Sequence, residues 1–200
     1  QTIWKDVEGV MNADPKQFPD AVPIAELNYN EIIEMAYYGA QVIHPKTIKP
    51  LQNKDIPLYV KCFLDPSLPG TIIHDNPVHH LPPIFVLKEN QVMLQMSSKD
   101  FSFVGEQHVG HLYHLFESLH IRPNLTQNGV ISFVCVLDDW AEKIEKLALE
   151  ASAFLDVQVV KGLSLLTIRH YTEAIFSTLT KGKTIVMRQQ TPDTVQLLMQ

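Results

Sequence analysis

The segment Arg122-Pro123-Asn124-Leu125-Thr126-Gln127-Asn128-Gly129-Val130-Ile131-Ser132-Phe133-Val134-Cys135-Val136-Leu137 carries two strand-forming runs, Arg122 to Gln127 and Val130 to Leu137, joined by Asn-Gly. Asparagine and glycine both tolerate positive φ, so this dipeptide between two such runs is the strongest short-range hairpin signal. On each side of the hairpin lies a helical pattern. His108 to Leu119 places Val109, Leu112, Leu115, Phe116 and Leu119 on one stripe, and Trp140 to Ser152 does the same with Ile144, Leu147 and Ala148. Beyond the helices are two more strand-like runs, Val92 to Ser97 and Leu155 to Val160. The order is therefore β-α-β-β-α-β.

Two helices with one apolar stripe each can cover the same face of a four-stranded antiparallel sheet, which predicts a two-layer, ferredoxin-like α+β sandwich over residues 91–162. The rhythm then restarts, with a strand from Leu163 to His170, a short helix from Glu173 to Leu179, and strands from Thr184 to Gln189 and Val195 to Met199. Residues 163–200 thus read as a second, incomplete copy of the unit, truncated or completed by another segment. Residues 77–90 read as a linker, because His74 to Pro83 is polar, proline-rich and without periodicity. Residues 1–76 form a separate α/β region. There Asn28, followed three residues later by Glu31, opens a helix with Ile32, Met35 and Ala36 at helical spacing and Gly39 closing it. Pro45 starts a second helical stretch through Leu51, Ile56 to Leu64 is rich in strand formers, and Asp65 to Gly70 is a turn into Thr71-Ile72-Ile73.

With 46% hydrophobic and 19% charged residues, the 200-residue chain has the composition of a globular protein and enough apolar mass for one large or two small cores. Its 16 basic residues are scattered among 22 acidic ones, for a net charge of -6, which argues against a partner held by phosphate-backbone neutralisation; no nucleic-acid ligand is expected. No apolar run approaches the roughly 20 residues that span a bilayer, and Gln1 to Asp6 lack the layout of a secretion signal. No membrane association and a cytoplasmic location are the corresponding expectations. Cys62 and Cys135 each sit in an apolar strand-like run and read as buried thiols. The chain opens at Gln1 rather than methionine, inside the strand-like Thr2-Ile3-Trp4, and reads as a piece of something longer.

Ile3-Trp4-Lys5-Asp6-Val7-Glu8-Gly9-Val10-Met11 and Ala13-Asp14-Pro15-Lys16 resemble the adenine-nucleotide loop of aspartokinases, which reads Trp-Thr-Asp-Val-x-Gly and then Thr-x-Asp-Pro-Arg. The resemblance continues through Glu26-Leu27, Glu34-Met35-Ala36, Gly39-Ala40-Gln41-Val42-Ile43-His44-Pro45, Thr47-Ile48 and Pro69-Gly70-Thr71. It implies the C-terminal, nucleotide-binding portion of an amino-acid-kinase catalytic domain over residues 1–76. It also implies ATP and Mg2+ as cofactors in the full-length enzyme, which phosphorylates L-aspartate to 4-phospho-L-aspartate on the way to lysine, threonine and methionine. The implied nucleotide contacts are Lys5, Asp6, Met11, Lys16 and Gln41. Met11 stands where the family has an aromatic residue, Lys16 where it has arginine, and Gln41 where it has the lysine of Gly-Ala-Lys-Val. The family's Lys-Phe-Gly-Gly segment and its aspartate-binding residues have no counterpart here, so no catalytic residue is assigned and the piece is expected to be inactive alone.

The β-α-β-β-α-β unit resembles the ACT domains appended to aspartokinases, which sense amino acids. The resemblance places an effector, lysine or threonine, between the loop entering the first helix and the start of the second strand. Here these segments supply Ser102, Gly105, Arg122, Pro123, Asn124, Gln127 and Asn128. Free N–H groups at a helix start attract a carboxylate, and amide oxygens accept from an ammonium. A non-catalytic amino-acid-binding or dimerisation module is the rival reading, with a homodimer formed through ACT domains expected under both. His108, His111 and His114 recur every third residue on a helix and His79-His80 are adjacent in the linker; without a Cys pair or His-Glu-x-x-His spacing they read as solvated side chains, and no metal ligands are assigned.

Overall fold

Capping chemistry shapes the N-terminal third of the computed structural model, which describes residues 1–200. Its elements begin with β1 (Thr2–Lys5), β2 (Val10–Met11), β3 (Pro23–Ile24), β4 (Glu26–Asn28), α1 (Tyr29–Tyr38), α2 (Pro45–Gln52), β5 (Leu58–Cys62) and β6 (Thr71–His74). They continue with β7 (Ile84–Ser97), α3 (Glu106–Ser118), β8 (Leu125–Asn128), β9 (Ser132–Asp138) and α4 (Ala141–Ala151). The last are β10 (Asp156–Arg169), α5 (Glu173–Thr180), β11 (Ile185–Gln190) and β12 (Thr194–Met199). Packing groups them into two units, Gln1–Leu87 with Leu166–Leu197, and Lys88–Leu165 with Leu198–Gln200.

In the first unit, the Asn28 side chain accepts from the Glu31 N–H at 2.8 Å and starts α1, as the sequence predicts. Gly39, at φ 109°, ends it, with the Gly39 and Ala40 N–H groups donating to Ala36 and Met35 carbonyls. Tyr29, Ile32 and Met35 line the buried face of α1. They pack with Leu27, Ile48, Leu58, Val60 and Ile73 on a sheet of order β1-β5-β6-β4. β1 and β4 each pair in parallel, with β5 and β6 respectively, while β5 and β6 are antiparallel.

In the second unit, Val92, Leu94 and Met96 of β7 alternate onto the same face as Phe133, Cys135 and Leu137 of β9. Leu112, Leu115 and Phe116 of α3 and Ile144 and Leu147 of α4 cover that face. This is the two-layer sandwich expected from the helix stripes, and both cysteines are buried as free thiols. The full strand order is β11-β12-β10-β7-β9-β8, which leaves β8 and β11 as edges. No helix is long and apolar enough to cross a membrane.

Three local expectations are revised. β7 starts at Ile84, inside the segment read as a linker over 77–90, because the strand-forming Ile84-Phe85-Val86-Leu87 follows directly on Pro83. The runs expected as separate strands at Leu155–Val160 and Leu163–His170 are one strand of 14 residues, β10. Gly162 takes φ +72° within it, a conformation that lets the chain pass through an irregularity without ending the strand. The Asn128-Gly129 hairpin is not a two-residue turn: neither residue has a positive φ, and β9 begins only at Ser132. The loop is held by outside donors, Val104 N–H to the Val130 carbonyl and Ser98 N–H to the Ile131 carbonyl, both at 3.0 Å. A β-carbon on Gly129 would lie 2.9 Å from Ser132 Oγ.

Because Gly162 has open space around it but a left-handed backbone, Gly162→Ala is expected to destabilise the chain by about 1–2 kcal/mol through backbone strain alone. Urea unfolding with an unchanged far-ultraviolet spectrum checks this.

Candidate functional site

Three of the sequence blocks that carry the family resemblance, Ile3 to Met11, Gly39 to Pro45 and Pro69 to Thr71, meet at one corner of the first unit. β1 delivers Lys5, whose Nζ donates to the carbonyls of Gln41 at 3.1 Å and Val42 at 2.7 Å, in the segment between α1 and α2. Downstream, the Val10 N–H donates to Thr71 Oγ1 at 2.8 Å, and that hydroxyl donates to the Ile24 carbonyl at 2.5 Å. Glycine is required on both sides of this contact. A β-carbon on Gly9 would meet Thr71 Oγ1 at 2.6 Å, and one on Gly70, which has φ +73°, would meet the Val60 carbonyl oxygen at 2.3 Å.

None of the remaining nucleotide candidates is buried. Asp6 and Gln41 are exposed, and Met11 is half-buried on β2, paired with Pro23 of β3. The Lys16 N–H donates to Asp14 Oδ1 at 2.9 Å, and its ammonium stands in solvent. Lys5 and Gln41 are thus brought together, but the Lys5 charge is spent on backbone carbonyls. Sequence reasoning missed Asn12, which is buried and ties three segments. Its side chain accepts from the Val22 N–H at 2.8 Å and donates to the Pro83 carbonyl at 3.1 Å, while its own carbonyl accepts from the Phe85 N–H.

This donor set fits a nucleotide in part: Lys16 offers an uncommitted cation, Asp6 an exposed carboxylate and Met11 an apolar surface. No group of three His, Cys, Asp or Glu side chains gathers to hold a metal ion. A magnesium ion carried by nucleotide phosphates asks for only one or two carboxylates, and Asp6 is the member of the set able to serve.

The effector candidates divide between the two ends of β8. At the hairpin end lie the exposed Gln127 and Asn128, with the loop of Ser102 and Gly105 joined there through the Val104–Val130 bond. Ser102 N–H donates to Asp100 Oδ1 at 3.1 Å, and Gly105 caps α3 without a side chain. At the other end, the exposed Arg122 and half-buried Pro123 precede Asn124, which is committed to an internal network. Asn124 donates to Gln91 Oε1 at 2.8 Å and Asp138 Oδ1 at 2.9 Å and accepts from Lys88 Nζ at 2.8 Å. Gln91, only 1% exposed, donates to Asp138 as well. Burial would raise the Asp138 pKa, but these hydrogen bonds and the Lys88 charge outweigh it and hold it below the usual carboxylate value. His108 and His111 stack on Phe154, with centroids at 6.2 and 4.5 Å.

A second charged cluster escaped the sequence reading. Glu31, 5% exposed, receives a two-pronged fork from Arg169, Nε to Oε1 at 2.7 Å and a terminal nitrogen to Oε2 at 3.0 Å. The other terminal nitrogen of Arg169 donates to Thr194 Oγ1 at 2.9 Å and lies 3.6 Å from Glu34. His170 Nε2 sits 3.1 Å from Glu31 Oε2, close enough for charge attraction but without hydrogen-bond geometry. Burial alone would raise the Glu31 pKa; the contacts of His170 and Arg169 overcome it and lower it to about 2. The sequence signal available was Glu31 itself, which stands where a capping residue would reach back to the helix start and instead turns to Arg169.

The sequence model of the Amino acid kinase family matches residues 2–62. Aspartokinase 1, chloroplastic, of Arabidopsis thaliana is 32% identical over 180 residues, covering 83% of this chain and 31% of its own length. Among solved structures, E. coli aspartokinase III in complex with aspartate and ADP superposes with a TM-score of 0.81 at 24% identity, over 99% of this chain and 48% of that one. The same enzyme in complex with lysine and aspartate gives 0.77 at 25% identity, over 98% and 47%. The fold is thus that of an amino-acid kinase's C-terminal portion followed by ACT domains. The chain belongs to the aspartokinase family, covering the end of the catalytic domain together with ACT domains, and spans 31% of the Arabidopsis relative's length and 48% of the E. coli one's.

The Glu31 value of about 2 lies below its ordinary 4.5, so its stabilising contribution is complete above pH 4.5 and lost as pH falls toward 2. The urea midpoint is expected to drop across that window, with Glu31→Gln removing this part of the slope. Arg169→Ala, which strands a buried carboxylate at neutral pH, is expected to cost about 3–5 kcal/mol in the same assay.

Proposed function

We propose that this chain supplies part of the ATP site and the allosteric region of an aspartate kinase, which transfers the γ-phosphate of ATP to the β-carboxylate of L-aspartate and so opens the route to lysine, threonine and methionine. The observation that carries the reading is a corner of the first unit where one N-terminal block meets two segments distant in sequence: Lys5 hydrogen-bonds to Gln41-Val42, and Gly9-Val10 meets Gly70-Thr71 through a hydrogen bond and close contact. Phosphoryl transfer asks a protein mainly to position the nucleotide and offset developing charge. ATP with its magnesium supplies the phosphoryl group and much of that charge compensation. Lys16 contributes one cation at the rim, Asp6 a carboxylate, and Lys5 holds the Gln41-Val42 backbone in place. The aspartate-binding groups belong to the rest of the enzyme, and this chain by itself is inactive.

A second reading, an amino-acid-binding or dimerisation module, is favoured by apolar side chains at the hairpin end of the ACT unit. Phe101 is 87% exposed and Phe103 73%, next to Val130 and the open edge of β8. The two readings are compatible. The E. coli relative solved with lysine supports an amino-acid effector, and Gln127, Asn128 and the Ser102–Gly105 loop are the candidates with exposed polar groups.

Calorimetry of the purified chain with magnesium and ATP is expected to show saturable heat, weakened by Lys16→Ala, while hydroxylamine traps no acyl phosphate from aspartate. Acyl phosphate made by the chain alone would falsify its inactivity, and absence of heat would remove the nucleotide role. Titration with lysine, threonine and methionine in turn, with sedimentation of the same samples, is expected to show a dimer that binds one of them and loses it on Gln127→Ala with Asn128→Ala. A dimer that binds none leaves assembly as the task of the ACT region.

A further inference from the structure

Glu31 lies in the first turn of α1, and Arg169, 138 residues later, ends β10 of the ACT region; both belong to the first unit. The fork between them is buried and bidentate, so it defines a direction as well as a distance. Thr194, which opens β12, holds the same guanidinium from its other side. Helix α1, ten residues and about 15 Å long, has a face made of Tyr29, Ile32 and Met35 fully inside the core, so it moves as a body rather than by bending. At its far end Gly39 turns the chain, and the Gln41 and Val42 carbonyls that follow accept from Lys5 at the edge of the nucleotide corner.

We propose that the Arg169–Glu31 fork is the joint through which the regulatory segment sets the position of the Gln41-Val42 carbonyls and, through Lys5, of the nucleotide loop. This rests on the nucleotide reading given above and names the regulation of that site. Arg169 is a positioning residue: it touches no part of the nucleotide corner and acts by holding one end of a rigid helix whose other end does. The fork suits a two-state element because a buried charged pair has no comfortable half-formed arrangement.

The test is amide hydrogen exchange by NMR on the chain, comparing Arg169→Met, which keeps the length but removes the fork, with Arg169→Lys, which keeps the charge. The reporters are the Gly39 and Ala40 amides at the distant end of α1, the His170 amide beside the joint and the Asn124 amide in the other unit. Arg169→Met is expected to speed exchange at Gly39 and Ala40 by about tenfold or more and leave Asn124 unchanged, with Arg169→Lys in between. ATP affinity measured on the same samples is expected to weaken in the same order. Faster exchange confined to His170, with Gly39 and Ala40 unmoved, overturns the joint. Should Arg169→Met fail to fold, Glu31→Gln, similar in size and still able to hydrogen-bond, gives the same comparison. If the unmodified chain does not bind ATP, the nucleotide reading fails and the exchange results alone decide whether the joint exists.

Discussion

Burying an ionised carboxylate costs several kcal/mol unless its oxygens are met by charge and hydrogen bonds, and Glu31 is buried deeply enough to impose that cost. Both oxygens are met from one guanidinium, and that guanidinium comes from the far end of the chain. Much of the first unit follows from this requirement. For Glu31 to stay charged, the end of β10 must reach the start of α1, and Leu166–Leu197 accordingly fall in one packed unit with the kinase-like sheet. An apolar pair would stabilise as well or better, but would not choose a direction. The fork does, and it fixes the helix that leads to the Gln41-Val42 carbonyls.

The corner proposed to hold the nucleotide is organised by close approach more than by charge. Gly9 and Gly70 let backbone and the Thr71 hydroxyl meet at distances no side chain allows, and Lys5 spends its ammonium on two carbonyls. Of the cations implied by family resemblance, Lys16 is the one left to solvent. That distribution makes the corner a scaffold with one solvent-facing charge, which suits the proposed role of holding a nucleotide still.

The ACT unit shows the same separation of framing and binding groups. Asn124, just before the strand, is drawn into the half-buried network of Gln91, Asp138 and Lys88, where its two donors and its acceptor are all used. Gln127 and Asn128, only a few residues on, face solvent. The amides around this short strand therefore have different work: Asn124, just before it, is tied into the network, while Gln127 and Asn128 stand at an open edge.

Local physics made much of this legible in the sequence. Asn28, Pro45 and Gly39 mark helix ends because capping and φ preferences act over four residues, and Leu112, Leu115 and Phe116 show their buried face through helical periodicity alone. The alternation in Val92, Leu94 and Met96 likewise announces a half-buried strand. The sequence could not say whether Asn128-Gly129 would form a tight turn, since donors from Ser98 and Val104 decide that, nor that Gly162 would join two strand runs into one. By itself the sequence determined most of the elements, the sandwich and the family, because those rest on short-range pattern. Only the tertiary structure decided that Lys5 serves the backbone, that Asn124 is spent internally and that Glu31 belongs to Arg169, because a polar group's partner is whichever group the fold brings within hydrogen-bond reach, however far along the chain it lies.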